Sequence, residues 1–151
     1  MATQVWMPNI DKTMVGNAWR FEGILDVDWA LCPWQVAKEL GKHSTKKLSY
    51  AEFMAGMKTL ALQTVDPEFH NKVQRGDFLI GGDSTGYGHA HEQASIALRA
   101  AGIAAVLCEG TNMNFSRNSI HQGLPVIVIK GIMSAVKTGD RLEVNLVEGT
   151  V

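Results

Sequence analysis

Apolar positions change period several times along the chain, and each change predicts an element. Residues 1–15 carry no clear period and are expected to form a loose N-terminal arm. From Asn17 the run Ala18-Trp19-Arg20-Phe21 predicts a strand, and Gly23 to Leu25 a second short extended piece. Asp26 and Asp28 form a turn-like acidic pair, and Pro33 disfavours helix at Cys32. Beyond it Trp34, Val36, Ala37 and Leu40 fall at helical spacing, with Gly41 as the expected stop. Residues 42–48 read as a polar, basic loop. Ser49 and Glu52 have the spacing of a capping box, opening a helix that runs through Ala61 and gathers Phe53, Met57 and Leu60 on one face.

The second half is more regular. Phe78-Leu79-Ile80-Gly81 predicts a short buried strand, followed by a Gly-rich loop and a helix from about Glu92 to Ala101 that Gly102 stops. Ala104 to Cys108 is a further strand, Asn114 to Gln122 a helix ended by Gly123, and Pro125 to Ile129 a third strand. Strands alternating with helices at this spacing predict an α/β fold with parallel pairing and right-handed crossovers. Arg141 to Leu146 alternates polar and apolar, as a half-exposed strand does. No repeat, low-complexity tract or linker interrupts the chain, so residues 1–151 are expected to form one domain.

Composition narrows the function. With 46% hydrophobic and 19% charged residues, the 151-residue chain can bury a core. Fourteen basic and fifteen acidic residues give a net charge of −1, which offers neither nucleic acid nor an anionic membrane a basic face. The N-terminal stretch lacks a signal-peptide pattern, and no run approaches the roughly 18 apolar residues of a membrane span. Two cysteines, Cys32 and Cys108, are too few for a disulfide framework, so a reduced, cytoplasmic setting is expected. They are also too few for an iron–sulfur cluster, which takes three or four thiolates in most proteins. Any cluster in the function must come from a partner.

The chemistry concentrates in Gly81-Gly82-Asp83-Ser84-Thr85-Gly86-Tyr87-Gly88-His89-Ala90-His91-Glu92, between the end of a buried strand and the start of a helix. Free amides and the helix dipole there favour a carboxylate or phosphate, and the glycines allow a ligand close to the backbone. The segment is neither a P-loop, since no Gly-Lys-Ser/Thr follows, nor a dinucleotide fingerprint. A plain Gly-rich turn, with Asp83 and Ser84 satisfying backbone amides, is the alternative. His89 and His91 could ligate a metal only with a third ligand that the sequence does not identify, so no metal is expected on this chain. Moving a proton near neutral pH is the more attractive role for them. Glu92 is expected to cap the following helix. Asp26 and Asp28 read as turn residues, with a subunit contact as second choice, and Trp29 and Trp34 as core or interface aromatics. Lys42, Lys46 and Lys47 could attract an acid or be solvated surface.

Several runs together resemble the small subunits of isopropylmalate isomerases, in the aconitase superfamily. Asp66 to Gly82 resembles the approach to that family's active loop, and Asn114-Phe115-Ser116-Arg117-Asn118, continuing to Gly123-Leu124-Pro125, its Phe-x-Arg-Asn…Gly-Leu-Pro signature. Asp26-Val27-Asp28 followed by Pro33 resembles its Asp-x-Asp…Pro stretch, with one extra residue before the proline. The resemblance spans roughly residues 16–130. It implies a swivelling β/β/α domain with a mixed sheet, closing on a separate large subunit that carries a [4Fe–4S] cluster; this chain itself would bind no cofactor. The pair would dehydrate or rehydrate a small 2-hydroxy di- or tricarboxylate, as a hydro-lyase active only when both subunits are present. A homo-oligomer of the isolated chain stays open. The departures lie in the loop. Where the family reads Cys-Gly-Ser-Ser-Arg-Glu, this chain has Tyr87-Gly88-His89-Ala90-His91-Glu92, and Gln35 stands where the family often has arginine. The expected catalytic residues are therefore His89, matching the family's serine base, and His91, matching its carboxylate-binding arginine. Gly86, Tyr87, Gly88, Ala90 and Arg117 are the expected substrate contacts. Histidine lacks the planar fork of arginine, so the substrate is expected to differ from isopropylmalate or citrate. A non-catalytic, carboxylate-binding or regulatory paralogue is the alternative.

Overall fold

The computed structural model describes residues 8–9, 12–44 and 48–151. Seven strands, numbered in chain order, are β1 (Met14–Arg20), β2 (Leu25–Asp26), β3 (Phe78–Gly81), β4 (Thr85–Tyr87), β5 (Ala105–Cys108), β6 (Val126–Val128) and β7 (Arg141–Val144). Five of them form one mixed sheet in the order β6-β5-β3-β1-β7, and β2 pairs with β4 in a separate two-stranded sheet. β1, β3, β5 and β6 run parallel, while β7 closes the edge antiparallel to β1 with Val144 opposite Met14.

Successive residues of a strand point to opposite faces, and β3 and β5 bury both. Phe78, Ile80, Ala105 and Leu107 enter one core with Ile132, Val136 and Val144. Leu79, Val106 and Cys108 enter the other with Met57, Leu60, Ala94, Ala97, Leu98 and Phe115. Covered on two sides, these strands read as unbroken apolar runs. β7, at the edge, keeps the expected alternation, with Arg141 and Glu143 exposed and Val144 buried.

The helices are α1 (Trp34–Ser44), α2 (Tyr50–Leu60), α3 (Phe69–Lys72), α4 (Gln93–Ala101), α5 (Met113–His121) and α6 (Ile132–Ala135). The expected capping box is present: the Ser49 hydroxyl accepts from the Glu52 amide, and the Glu52 carboxylate accepts from the Ser49 amide. Gly102 ends α4 with φ +96°, a conformation in which its own Cβ would crowd Arg75 at 2.9 Å. Asn112 caps α5 by accepting from the Asn114 amide at 2.8 Å.

Four differences from the sequence reading have physical causes. β1 begins at Met14, inside the expected arm, because pairing with β7 extends it. α1 runs past Gly41 to Ser44, since one helical glycine costs only about 1 kcal/mol; the expected loop is shortened, and its residues 45–47 lie outside the described residues. The short helices α3 and α6 span four residues each, too few to show a period. Within the Gly-rich segment, Thr85 to Tyr87 is a strand, recruited by pairing with β2.

Candidate active site

β4 carries the chain from the end of β3 to the start of α4, and its pairing with β2 builds the site. Two backbone bonds zip the strands together, from the Leu25 amide to the Ser84 carbonyl at 3.0 Å and from the Val27 amide to the Tyr87 carbonyl at 2.8 Å. Asp26 is a turn residue, as its spacing suggested: its carboxylate accepts the amides of Asp28, Trp29 and Ala30. Asp28 lies in the same turn, but its carboxylate reaches the loop. It lies against Gly88, whose φ is +113° and whose Cβ would sit 3.2 Å from Val27 Cγ2 and 3.6 Å from Asp28 Oδ2. The loop thereby brings both histidines onto one carboxylate.

His89 Nδ1 lies 2.5 Å from Asp28 Oδ2, and His91 Nδ1 lies 2.7 Å from Asp28 Oδ1. A carboxylate only accepts, so each Nδ1 donates to Asp28 in this structure, which sets the tautomer of either ring while it is neutral. Burial raises the Asp28 pKa, but hydrogen bonds from His91, His89 and Gln93 outweigh it and hold the carboxyl below its ordinary value. Gln93, 5% exposed, donates from Nε2 to the Val27 carbonyl at 2.9 Å and to Asp28 Oδ1 at 3.2 Å. Trp34 stacks on His91 with ring centroids 4.0 Å apart and planes 13° apart. The two imidazoles lie 5.4 Å apart, the His91 side chain 34% exposed and that of His89 78%. One ring is held and the other is presented.

The loop tip, Tyr87 to Ala90, is exposed, and the Asn118 amide fastens it by donating to the Ala90 carbonyl at 3.1 Å. Arg117, beside Asn118 on α5, is exposed. Gly86 is buried, and its missing side chain makes room for the Phe115 ring, which a Cβ would meet at 2.2 Å. Behind Trp34 a cleft of about 500 Å³ opens between α1, α2 and α4, walled by Ala37, Phe53, Met57 and Ile96, with Lys42 at its edge. Lys42 pairs with Glu39 at 2.7 Å, while Lys46 and Lys47 lie outside the described residues.

The sequence model described as the aconitase C-terminal domain matches residues 33–131. Over 136 residues the chain is 38% identical to the isopropylmalate/citramalate isomerase small subunit of Methanocaldococcus jannaschii, covering 90% of this chain and 73% of that protein. This chain belongs to the aconitase C-terminal domain family. Another relative is the 3-isopropylmalate dehydratase small subunit 1 of Methanopyrus kandleri, 36% identical over 140 residues, 90% of this chain and 72% of that protein. The crystal structure of a Methanocaldococcus jannaschii 3-isopropylmalate dehydratase shares the fold with a TM-score of 0.73 at 28% identity, covering 91% of this chain and 73% of that one. The resemblance read from the motifs and the expected α/β fold with its mixed sheet are thereby confirmed. The family is one of hydro-lyases, and the relatives do not favour a non-catalytic paralogue.

Two further expectations for this aconitase-type domain meet the structure here. Glu92 stands at the N-cap of α4 but makes no capping bond; its carboxylate accepts from Gln122 Nε2 at 3.4 Å instead. Cys32 and Cys108 are both fully buried, and desolvation pushes their thiols up to about 12 and about 11. Thiols held protonated inside a core do not fit the ligand set of an iron–sulfur cluster, which needs thiolates. No helix among the described residues is long and apolar enough to cross a membrane. Reading the sequence missed Asp28, Gln93 and Trp34 as parts of the site. Only the Asp-x-Asp…Pro stretch hinted at the first, and it carried no role.

Proposed function

We propose that this chain, a single swivel domain, is the small subunit of a heteromeric hydro-lyase acting on a 2-hydroxy di- or tricarboxylate, with His89 as its base. The partner is a large subunit that holds the [4Fe–4S] cluster, whose chemistry when bound is that of a Lewis acid toward the substrate hydroxyl. The observation that carries the reading is Asp28 spanning both imidazoles. With its Nδ1–H bound to a carboxylate, His89 is fixed in one tautomer, and the positive charge it acquires on protonation is balanced. Its Nε2 then takes the proton from the substrate carbon next to a carboxylate during dehydration, and returns it on rehydration. His91, clamped between Trp34 and Asp28, binds substrate or relays that proton. Tyr87, Gly88 and Ala90 meet the substrate through the exposed loop, with Arg117 at its rim as a cation for a carboxylate. Gly86 serves by the space it leaves for Phe115. Two reduced cysteines support a cytoplasmic setting.

The test is reconstitution. The full chain alone is expected to show no turnover, and the chain combined with its large subunit to dehydrate a hydroxy-carboxylate. Undiminished turnover by the His89→Ala complex would remove His89 as the base.

A further inference from the structure

The same three side chains meet the requirement that the sequence left open, a third ligand for the His-x-His pair. We infer that Asp28, His89 and His91 form a site for a borderline divalent transition-metal ion, with Zn²⁺ as the representative, on the small subunit itself. This goes against the expectation from sequence that the chain holds no metal. It shares residues with the proposed function but does not depend on the base assignment.

Geometry is the first support. One ligand atom from each of the three residues lies within 4.8 Å of the other two, a separation that one ion can span. The histidines lie outside any helix, on the segment between β4 and α4, and both side chains reach the same carboxylate. Two imidazole nitrogens and one carboxylate oxygen form the donor set of Zn²⁺ and similar ions, not of Mg²⁺ or Ca²⁺, which prefer oxygen alone. With His89 largely exposed, one coordination position faces solvent, as in sites where a metal holds water or a small ligand.

Support around the ligands is the second argument. Metal-binding side chains are held in orientation by neighbours, and here Asp28, His91 and the backbone between the two histidines each have one. Gln93, buried and tied to the Val27 carbonyl, donates to Asp28 Oδ1. Trp34 stacks flat on His91, and Asn118 holds the Ala90 carbonyl between the two histidines. A solvated turn carrying two histidines has no need of this framework. One consequence follows for the reaction. An ion on both Nδ1 atoms leaves the proton on Nε2, so a loaded His89 donates a hydrogen bond but accepts no proton. Metal occupancy and the base role exclude each other.

The test uses the full chain without its partner. Chelator-stripped protein is titrated with Zn²⁺ by calorimetry and by competition with a chromogenic chelator, and Co²⁺ is added as a spectroscopic probe. The expected result is one equivalent per chain, with Co²⁺ giving visible ligand-field bands. Asp28→Asn should weaken binding at least tenfold, and a His89→Gln/His91→Gln double variant should abolish it, with circular dichroism unchanged in both. Absence of stoichiometric Zn²⁺ and Co²⁺ binding overturns the inference, as does retention of full affinity by the folded double variant. Because no turnover is read, failure here leaves the base assignment standing. Loss of that assignment in a metal-free complex leaves this one standing.

Discussion

β3 and β5 are buried along their whole length, whereas β4, reached from β3 across only residues 82–84, keeps Tyr87 exposed and feeds a loop exposed through Ala90. The two regions are neighbours in the chain and differ in what holds them. The central strands are held by apolar contacts on two faces, which tolerate little change. The β2–β4 pair is anchored in the core through Leu25 and Val27, but its loop end is held by a few backbone bonds, the Phe115 ring over Gly86, and polar bonds that converge on Asp28. The buried sheet therefore carries a small, partly exposed polar platform.

That contrast is open to breakage. The largest effect is expected at His89, where alanine should lower turnover of the reconstituted complex by about 10²- to 10⁴-fold while the urea midpoint of the chain stays unchanged. A large loss of stability there would mean that the platform is structural. Leu107→Ala should do the reverse, costing about 2–5 kcal/mol in urea unfolding with turnover per folded molecule preserved. Gly86→Ala tests the seam between the regions. Its Cβ would strike the Phe115 ring at a φ of +77°, so both a loss of roughly 1–3 kcal/mol and reduced turnover are expected. If Gly86→Ala leaves both unchanged, the loop is not anchored on α5.

The smallest effect sharpens the comparison from outside both regions. Ser49→Ala should cost about 1 kcal/mol at neutral pH and leave turnover alone. Hydrogen bonds from the Ser49 side chain and amide hold the Glu52 carboxyl below its ordinary value of 4.5. A depressed carboxyl stabilises the fold above its unfolded value and loses that contribution as pH falls through the folded one. The difference between wild type and Ser49→Ala should therefore shrink as the pH is lowered through that range, read by thermal melts at successive pH values.

Much of the fold was legible because its signals are local. The capping box at Ser49 needs residues three apart, Gly102 ends α4 by its own backbone freedom, and the apolar runs of β3 and β5 announce strands covered on both faces. β4 was hidden because three residues with a glycine at their centre carry no period. Of the site, the two histidines were legible from the loop that carries them. Asp28 was legible as a turn residue beside Asp26 and lies in that turn; only the structure shows that its carboxylate reaches the loop while that of Asp26 binds its own turn.

By itself the sequence determined the family, the strand and helix pattern, the Gly-rich loop and the replacement of its usual serines and arginine by His89, Ala90 and His91. Those follow from residue identity, spacing and short-range backbone chemistry. Only the tertiary structure decided that Asp28 meets His89 across 61 residues and His91 across 63, and that Trp34 lies flat on one of the two rings. Such meetings depend on the register of β2 against β4 and on how α1 packs on α2, which in turn packs on α4. No local pattern records either, because both are settled by the packing of the whole core.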